Sequence, residues 1–171
     1  CSGLILTTYS TWANPAWMKD VRFDFSNIAI GVLLAAALWV VFWLGEFFST
    51  ILFDFARPQV DMIYGMKEGE NPWVLTALML FIIGPAEEIF WRGYLQKNFT
   101  ERWNPDVAFA VTTLMYSLVH ISKFNFMLIM AAMVAGIVWG LAYRFFPEKL
   151  GAIIISHALW DCAVFIWFPI M

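Results

Sequence analysis

The residues best suited to chemistry in this sequence are acids and histidines that interrupt long apolar stretches. Glu87 and Glu88 stand next to each other in one such stretch, and the two histidines of the chain, His120 and His157, stand in two later ones. An ionisable side chain is costly inside an apolar segment of membrane length, so each of these residues needs a partner or a function. A carboxylate and a neutral imidazole can together take a proton from water. A second histidine can donate a hydrogen bond to the oxyanion that forms on a carbonyl.

The adjacent glutamates are predicted to have different surroundings. Glu88 and Arg92 are four residues apart, so they lie on one helix face and can form an ion pair. Glu87 points about 100° away from Glu88, because an α-helix has about 3.6 residues per turn. A salt bridge at a helix end would explain Glu88 and Arg92 as structural residues, but it leaves Glu87 without a role. One carboxylate can therefore be neutralised within the helix, while the other is free for another task.

Each histidine has a polar partner one helical turn away. Tyr116 precedes His120 by four residues, and Asp161 follows His157 by four, so both pairs share a helix face. Tyr116 can pack on the His120 ring or offer it a hydrogen bond, and Asp161 can orient the His157 ring and fix its tautomer. Taken singly, His120 is better explained as an interfacial residue, and the His157–Asp161 pair is equally well explained as a structural hydrogen-bonded pair.

The composition excludes an ordinary soluble domain. Hydrophobic residues make up 62% of the chain and charged residues 13%, with a mean hydropathy of +0.73. Soluble domains carry roughly 45–50% apolar and about 25% charged residues, so lipid must cover part of this surface. A net charge of −3 gives no basic patch for nucleic acid. The two cysteines, Cys1 and Cys162, are far apart and have no metal-ligand spacing.

Five stretches are long enough, or nearly so, to cross a membrane as helices, since a span needs about 20 mostly apolar residues. They cover residues 28–44 with an extension towards 55, 73–95, 107–121, 126–146 and 150–170. Pro85 is expected to bend the second helix. Residues 1–27 form an N-terminal segment that is either interfacial or the remnant of an earlier helix, and residues 28–171 form one transmembrane domain. The predicted fold is an all-α, polytopic transmembrane helix bundle with about five membrane helices.

The basic residues predict the orientation of these helices. Six lie on one side of the membrane (Lys19, Arg22, Lys97, Arg102, Arg144 and Lys149) and three on the other (Arg57, Lys67 and Lys123). The side with six is predicted to be cytoplasmic.

Distances along the helices place the candidate residues at a common depth. Measured from the predicted cytoplasmic side, Glu87, His120, His157 and Asp161 lie roughly 10–20 Å inside a hydrocarbon core about 30 Å thick. We therefore expect one shared, water-containing cavity in the cytoplasmic half of the membrane. A small residue recurs at every fourth position through Ala132, Gly136 and Gly140, and this pattern predicts close helix packing and no chemistry.

The motifs resemble those of a known family. The patterns Glu-Glu-x-x-x-Arg, aromatic-x-x-x-His and His-x-x-x-Asp/Asn occur here in that order, on apolar helices within residues 73–165. This resembles the CAAX protease and bacteriocin-processing family (CPBP, also called Abi). The resemblance implies an all-helical, glutamate-type intramembrane endopeptidase with no cofactor. It further implies that Glu87 and His120 activate water, that His157 and Asp161 form the oxyanion side, and that Glu88 and Arg92 shape the site.

Two positions depart from the family pattern. Tyr116 stands where the family often has phenylalanine, and Asp161 stands where members acting on prenylated proteins carry asparagine. An ionised aspartate cannot donate a hydrogen bond to an oxyanion, so either Asp161 is protonated in its apolar setting or its role is to orient His157. We expect the second, because it needs no large pKa shift. The aspartate also weakens the inference that the substrate is a prenylated CAAX protein.

Other functions remain open at this stage. His120, His157 and a glutamate match a known catalytic zinc set, so a zinc-dependent membrane hydrolase is one alternative. A non-catalytic immunity or scaffold protein of the same fold is another, and a proton or ion path is a third. The expected partners are the lipid bilayer, a membrane protein or peptide substrate and, in some settings, a partner membrane protein. The expected location is the cell membrane, with several passes through it.

Overall fold

The fold is known from a computed structural model, which describes residues 2–170. Seven helices make up this part of the chain, and it contains no β-strand. They are α1 (Ser2–Ala13), α2 (Phe25–Leu52), α3 (Ala56–Gly65), α4 (Pro72–Arg102), α5 (Pro105–Leu118), α6 (Phe126–Phe145) and α7 (Leu150–Cys162). The all-α prediction is confirmed. Cys1 lies outside the described residues.

Four helical segments are long and apolar enough to cross a membrane. They are Phe25–Leu52, Pro72–Arg102, Phe126–Phe145 and Pro147–Trp167, the last of which contains α7 and its short extensions. They correspond to four of the five predicted spans and confirm a polytopic helix bundle. The protein is therefore an integral membrane protein.

The remaining predicted span, over residues 107–121, is built differently. α5 has 14 residues, which cover only about 21 Å at about 1.5 Å per residue. A 3-10 helix, Val119–Lys123, continues it for five residues and adds about 10 Å at about 2 Å per residue. Asp106 at the start of α5 pairs with Arg144 at the end of α6, so the two helices run antiparallel.

Helix α4 is continuous but locally unwound on both sides of the two glutamates. Two π-helical segments, Met79–Ile83 and Ile89–Gln96, flank the α-helical turn Gly84–Glu88. The first π segment ends two residues before Pro85, whose missing N–H and bulky ring disrupt a regular helix. Such π-helical insertions occur frequently at functional sites.

Helix α7 is the central element of the bundle. In its span 67% of the most apolar window is buried, compared with 17% for α2. α7 packs along α2 and against α4, while α5 packs on α6. The core holds Leu38 of α2, Trp139 of α6, and Leu150 and Ile153 of α7. α7 therefore carries its polar residues into the least solvent-accessible part of the protein.

The N-terminal segment packs on the outside of α4. The rings of Tyr9 and Tyr94 meet edge to face, with centroids 5.5 Å apart. Ile5 and Trp12 of α1 are strongly exposed, as expected for a helix that has an apolar environment on its outer side. Whether residues 1–27 lie at the interface or complete an earlier helix stays a prediction.

Candidate active site

A close approach between two backbones brings the glutamates next to the second histidine. A Cβ atom added to Gly84 of α4 would lie 2.9 Å from the Cα and 3.0 Å from the backbone N of Ala158 in α7. No other residue could occupy this position without separating the helices. Because Glu87 and Glu88 follow Gly84 within about one turn, their side chains start beside His157, the neighbour of Ala158.

Glu88 connects the two helices through one carboxylate oxygen. Its Oε1 accepts a hydrogen bond from Arg92 Nη1 at 2.8 Å and lies 2.6 Å from His157 Nδ1. The side chains of Glu88 and Arg92 are fully buried and that of His157 is 3% exposed. The ion pair predicted from the spacing of Glu88 and Arg92 is therefore present. A carboxylate facing Nδ1 fixes the imidazole so that its other nitrogen, Nε2, points away.

His157 Nε2 faces two further acids. Asp161 Oδ2 lies 3.5 Å from Nε2, and Glu87 Oε2 lies 4.0 Å from it. The side chain of Glu87 is 29% exposed, so it is the acid of this group that solvent or a substrate reaches most easily. We call Glu87, Glu88, Arg92, His157 and Asp161 the buried cluster. Asp161 contacts the ring at Nε2, whereas Glu88 holds the opposite nitrogen.

The guanidinium of Arg92 is enclosed by rings and a backbone carbonyl. Its Nη2 donates to the Gly136 carbonyl oxygen at 3.3 Å. Its central carbon lies 4.8 Å from the Tyr116 ring centre and 5.8 Å from that of Trp139. Aromatic faces attract cations, and more strongly where water is excluded. Arg92 is thereby held in one orientation towards Glu88.

The predicted small-residue packing of α6 is confirmed and also serves this arginine. A Cβ atom on Gly136 would lie 3.1 Å from Tyr116 Cδ1 and 3.3 Å from Thr113 Cγ2 of α5. Without side chains, Gly136 and Gly140 leave their carbonyls accessible. The Gly140 carbonyl accepts from Gln96 Nε2 at 2.9 Å, one turn along α4 from Arg92.

His120 lies beside the buried cluster rather than within it. Its Nδ1 lies 2.9 Å from the Tyr116 carbonyl oxygen, and the two rings meet edge to face at 5.6 Å. A carbonyl only accepts, so Nδ1 carries the proton and a neutral His120 presents an unprotonated Nε2. Tyr116 contacts both His120 and Arg92 and so links the histidine to the cluster. Within residues 2–170, His120 makes no hydrogen bond or ion pair with Glu87.

The structure thus brings together most of the residues singled out in the sequence. Glu88, His157 and Asp161 are buried, so the shared cavity expected from their depth is here a packed cluster with Glu87 at its accessible side. The contact between Glu88 and His157 was missed, because helical spacing cannot predict contacts between different helices. Trp139, which stacks on His157, was also missed, since a tryptophan on an apolar helix ordinarily indicates packing alone.

The arrangement does not gather the predicted zinc ligands. In the described part of the chain, no three side chains among histidine, cysteine, aspartate and glutamate are grouped so as to hold a metal ion. Both ring nitrogens of His157 face carboxylates, and His120 Nδ1 faces a backbone carbonyl.

Comparison with known proteins gives one match. The model of a family described as type II CAAX prenyl endopeptidase, Rce1-like, matches residues 69–163. This region includes every candidate site residue. No curated protein and no solved structure matches the chain.

Proposed function

We propose that this chain, which belongs to the Rce1-like family of type II CAAX prenyl endopeptidases, hydrolyses a peptide bond of a membrane-associated protein or peptide with water as the nucleophile. The observation that carries the proposal is the buried cluster, in which acids on α4 and α7 surround one histidine. Such a cluster costs free energy inside a membrane protein. Glu87 is the most exposed acid of this cluster. Arg92 neutralises Glu88, but no arginine or lysine pairs with Glu87 in the described part of the chain.

Glu87 and His120 are the groups proposed to activate water. Glu87 accepts a proton from a water molecule whose oxygen attacks the carbonyl carbon of the scissile bond. His120, with Nδ1 bound to the Tyr116 carbonyl, presents Nε2 as an acceptor that can orient the same water. Substrate entry would complete the arrangement, as catalytic contacts often tighten only in the complex.

His157 and Asp161 are proposed to act on the oxyanion side. Attack by water moves the carbonyl electron pair onto oxygen, and a protonated Nε2 of His157 can donate a hydrogen bond to that oxyanion. In that ring Nδ1–H donates to Glu88, which leaves Nε2–H to donate to the oxyanion. When the carbon–nitrogen bond breaks, the proton held by Glu87 passes to the departing amine, and the carboxylate is restored. Asp161 lies at the same nitrogen and would keep Nε2–H directed into the site.

The setting of the reaction is part of the proposal. The active site would lie in the cytoplasmic half of the cell membrane, because the six basic residues predict that side to be cytoplasmic. No cofactor is required by the proposed chemistry. The substrate would be a membrane protein or peptide whose cleaved segment reaches Glu87, and the lipid bilayer is an obligatory partner.

A reconstituted assay tests the proposal. The purified protein in proteoliposomes would receive CAAX-type peptides with and without a prenyl group, and products would be identified by mass spectrometry. Glu87→Gln should lower turnover by about 100-fold or more, the usual contribution of a general base, and His120→Ala should be similarly impaired, both without loss of folding. Adding hydroxylamine should give no transfer product, because no acyl-enzyme forms.

Three results would overturn parts of this account. Wild-type turnover in Glu87→Gln would remove the proposed base. Loss of activity on addition of a strong chelator, restored by zinc, would favour the zinc hydrolase that His120, His157 and a glutamate could form. Tight peptide binding without any cleavage would favour the non-catalytic scaffold or immunity protein.

A further inference from the structure

A tryptophan outside the recognised motifs lies flat against the second histidine. Trp139 of α6 is completely buried. Its ring and that of His157 have centroids 3.9 Å apart and planes inclined by only 15°. A rotation of the imidazole about its Cβ–Cγ bond would drive it into the indole. Trp139 therefore covers one face of the ring, whereas the acids of the buried cluster lie at its two nitrogens.

The indole is itself fixed in place. Its Nε1 donates a hydrogen bond to Ser156 Oγ at 3.1 Å, on the residue directly before His157. This hydrogen bond sets the direction of the indole, whereas the Trp160 ring adds only an edge-to-face packing contact, with centroids 5.7 Å apart and planes at 80°. A rigid surface is what a positioning role requires, since a mobile side chain would not restrict its neighbour.

Trp139 also faces the second donor to Glu88. The Arg92 guanidinium lies 5.8 Å from its ring centre, and Arg92 and His157 both bind Glu88 Oε1. One indole thus borders both groups that meet at this oxygen. Packing alone would explain a buried tryptophan here, but it does not require the near-parallel stack on the imidazole.

We propose that Trp139 is a positioning residue for His157. Its face holds the imidazole so that Nδ1 points to Glu88 and Nε2 points towards Glu87 and Asp161. The consequence for turnover rests on the proposed hydrolysis, whereas the orientation of the ring can be tested without it. Trp160 provides a matched control, because it is a buried tryptophan that touches Trp139 but makes no ring contact with His157.

Nuclear magnetic resonance of the imidazoles tests the orientation. The chain has only two histidines, so protein labelled with nitrogen-15 at histidine gives two sets of ring signals, and His157→Gln assigns them. The wild type should show a slowly exchanging Nδ1–H signal from His157, because this proton is buried against Glu88. Trp139→Leu should lose that signal to exchange with water, and Trp160→Leu should keep it. The His120 signals serve as an internal check of folding in each variant.

Turnover in the reconstituted assay tests the catalytic consequence. Trp139→Leu should lose roughly tenfold in kcat, the scale of one aromatic contact, with KM nearly unchanged. Trp139→Phe, which keeps an aromatic face, should recover most of the loss. Trp160→Leu should retain wild-type kcat once corrected for folded protein.

Two results would overturn the inference. One is a slowly exchanging His157 Nδ1–H signal in Trp139→Leu that equals the wild-type signal. The other is an equal loss of kcat in Trp139→Leu and Trp160→Leu. If Trp139→Leu does not fold, Trp139→Met replaces it with a flexible side chain that lacks an aromatic face, and the same two criteria apply. A wild type that cleaves nothing would refute the proposed hydrolysis, while the ring signals would still decide the role of Trp139.

Discussion

The buried cluster and a second charged group of similar residue types differ sharply in their surroundings. The second group, which we call the surface cluster, consists of Glu46, Arg57 and Asp61 at the α2–α3 junction. Arg57 lies 3.2 Å from both acids, and the Arg57 and Asp61 side chains are 49% and 56% exposed. In the buried cluster, the side chains of Glu88 and Arg92 are not exposed at all. Water can replace the contact between Arg57 and Asp61, but it cannot replace the contact between Glu88 and Arg92.

This difference is the reason why we assign the proposed catalysis to the buried cluster and not to the surface cluster. The buried charges are held in single orientations by aromatic rings, a backbone carbonyl and a histidine. Polar groups that are already oriented stabilise a transition state without having to reorient during the reaction. The surface cluster has no histidine and is open to solvent. Its ion pairs are of the kind that contribute little to stability. Matched substitutions in the two groups therefore test the comparison.

The largest difference is expected between the two arginines. Arg92→Ala leaves Glu88 buried without its counter-charge, which costs about 3–5 kcal/mol. We expect a clear fall in melting temperature in detergent and a loss of activity. Arg57→Ala should cost less than about 1 kcal/mol. Similar melting temperatures for the two variants would remove the distinction between the clusters.

The next largest effect is expected at the glycine that joins α4 to α7. Gly84→Ala forces a Cβ atom to within 2.9 Å of the Ala158 Cα, and such overpacking costs about 1–3 kcal/mol. It should also reduce turnover, because Glu87 and Glu88 move relative to His157. Gly45→Ala is the control beside the surface cluster, since its added Cβ meets nothing within 4 Å. Gly45→Ala should be neutral or stabilising by up to about 1 kcal/mol, and equal losses in both variants would contradict the close approach.

A smaller effect is expected when the charge of Asp161 is removed. The His157 ring is already held by Glu88 and Trp139, and Asp161 adds only a contact of 3.5 Å at Nε2. Asp161→Asn keeps the shape and introduces an amide that can donate to an oxyanion. Turnover should stay within about tenfold of wild type, and stability within about 1.5 kcal/mol. A loss as large as that of Glu87→Gln would mean that the negative charge of Asp161 is essential.

The smallest effect is expected when Glu46, the α2 residue of the surface cluster, loses its charge. Glu46→Gln removes one partner of Arg57 but leaves Asp61 in place. The change in unfolding free energy should be below about 1 kcal/mol, and turnover should match the wild type. A large loss of turnover would show that the surface cluster takes part in the reaction.

The sequence predicted what depends on spacing within one helix. The pairing of Glu88 with Arg92, the contact of Tyr116 with His120 and the four long apolar helices all follow from helical periodicity and hydropathy. What it could not predict depends on how the helices pack. The contact of Glu88 with His157 requires the approach at Gly84, and the role of Trp139 requires its stacking across two helices.

The local geometry of α4 and α5 also could not be predicted from helical periodicity. Two π-helical segments in α4 and the 3-10 turn after Leu118 change the rise and the angle per residue. An estimate of depth that assumes a regular α-helix therefore places His120 only approximately. This explains why His120 lies at the side of the cluster although its estimated depth matched that of the other residues.

The most direct test of the central claim is a survey of new protein N-termini in membranes of cells that express this chain. Wild type, Glu87→Gln and Glu46→Gln would be compared at equal protein levels by mass spectrometry. We predict a set of new N-termini in wild type and in Glu46→Gln that is missing in Glu87→Gln, and these termini would also identify the substrates. The same N-termini in all three samples would contradict hydrolysis by Glu87.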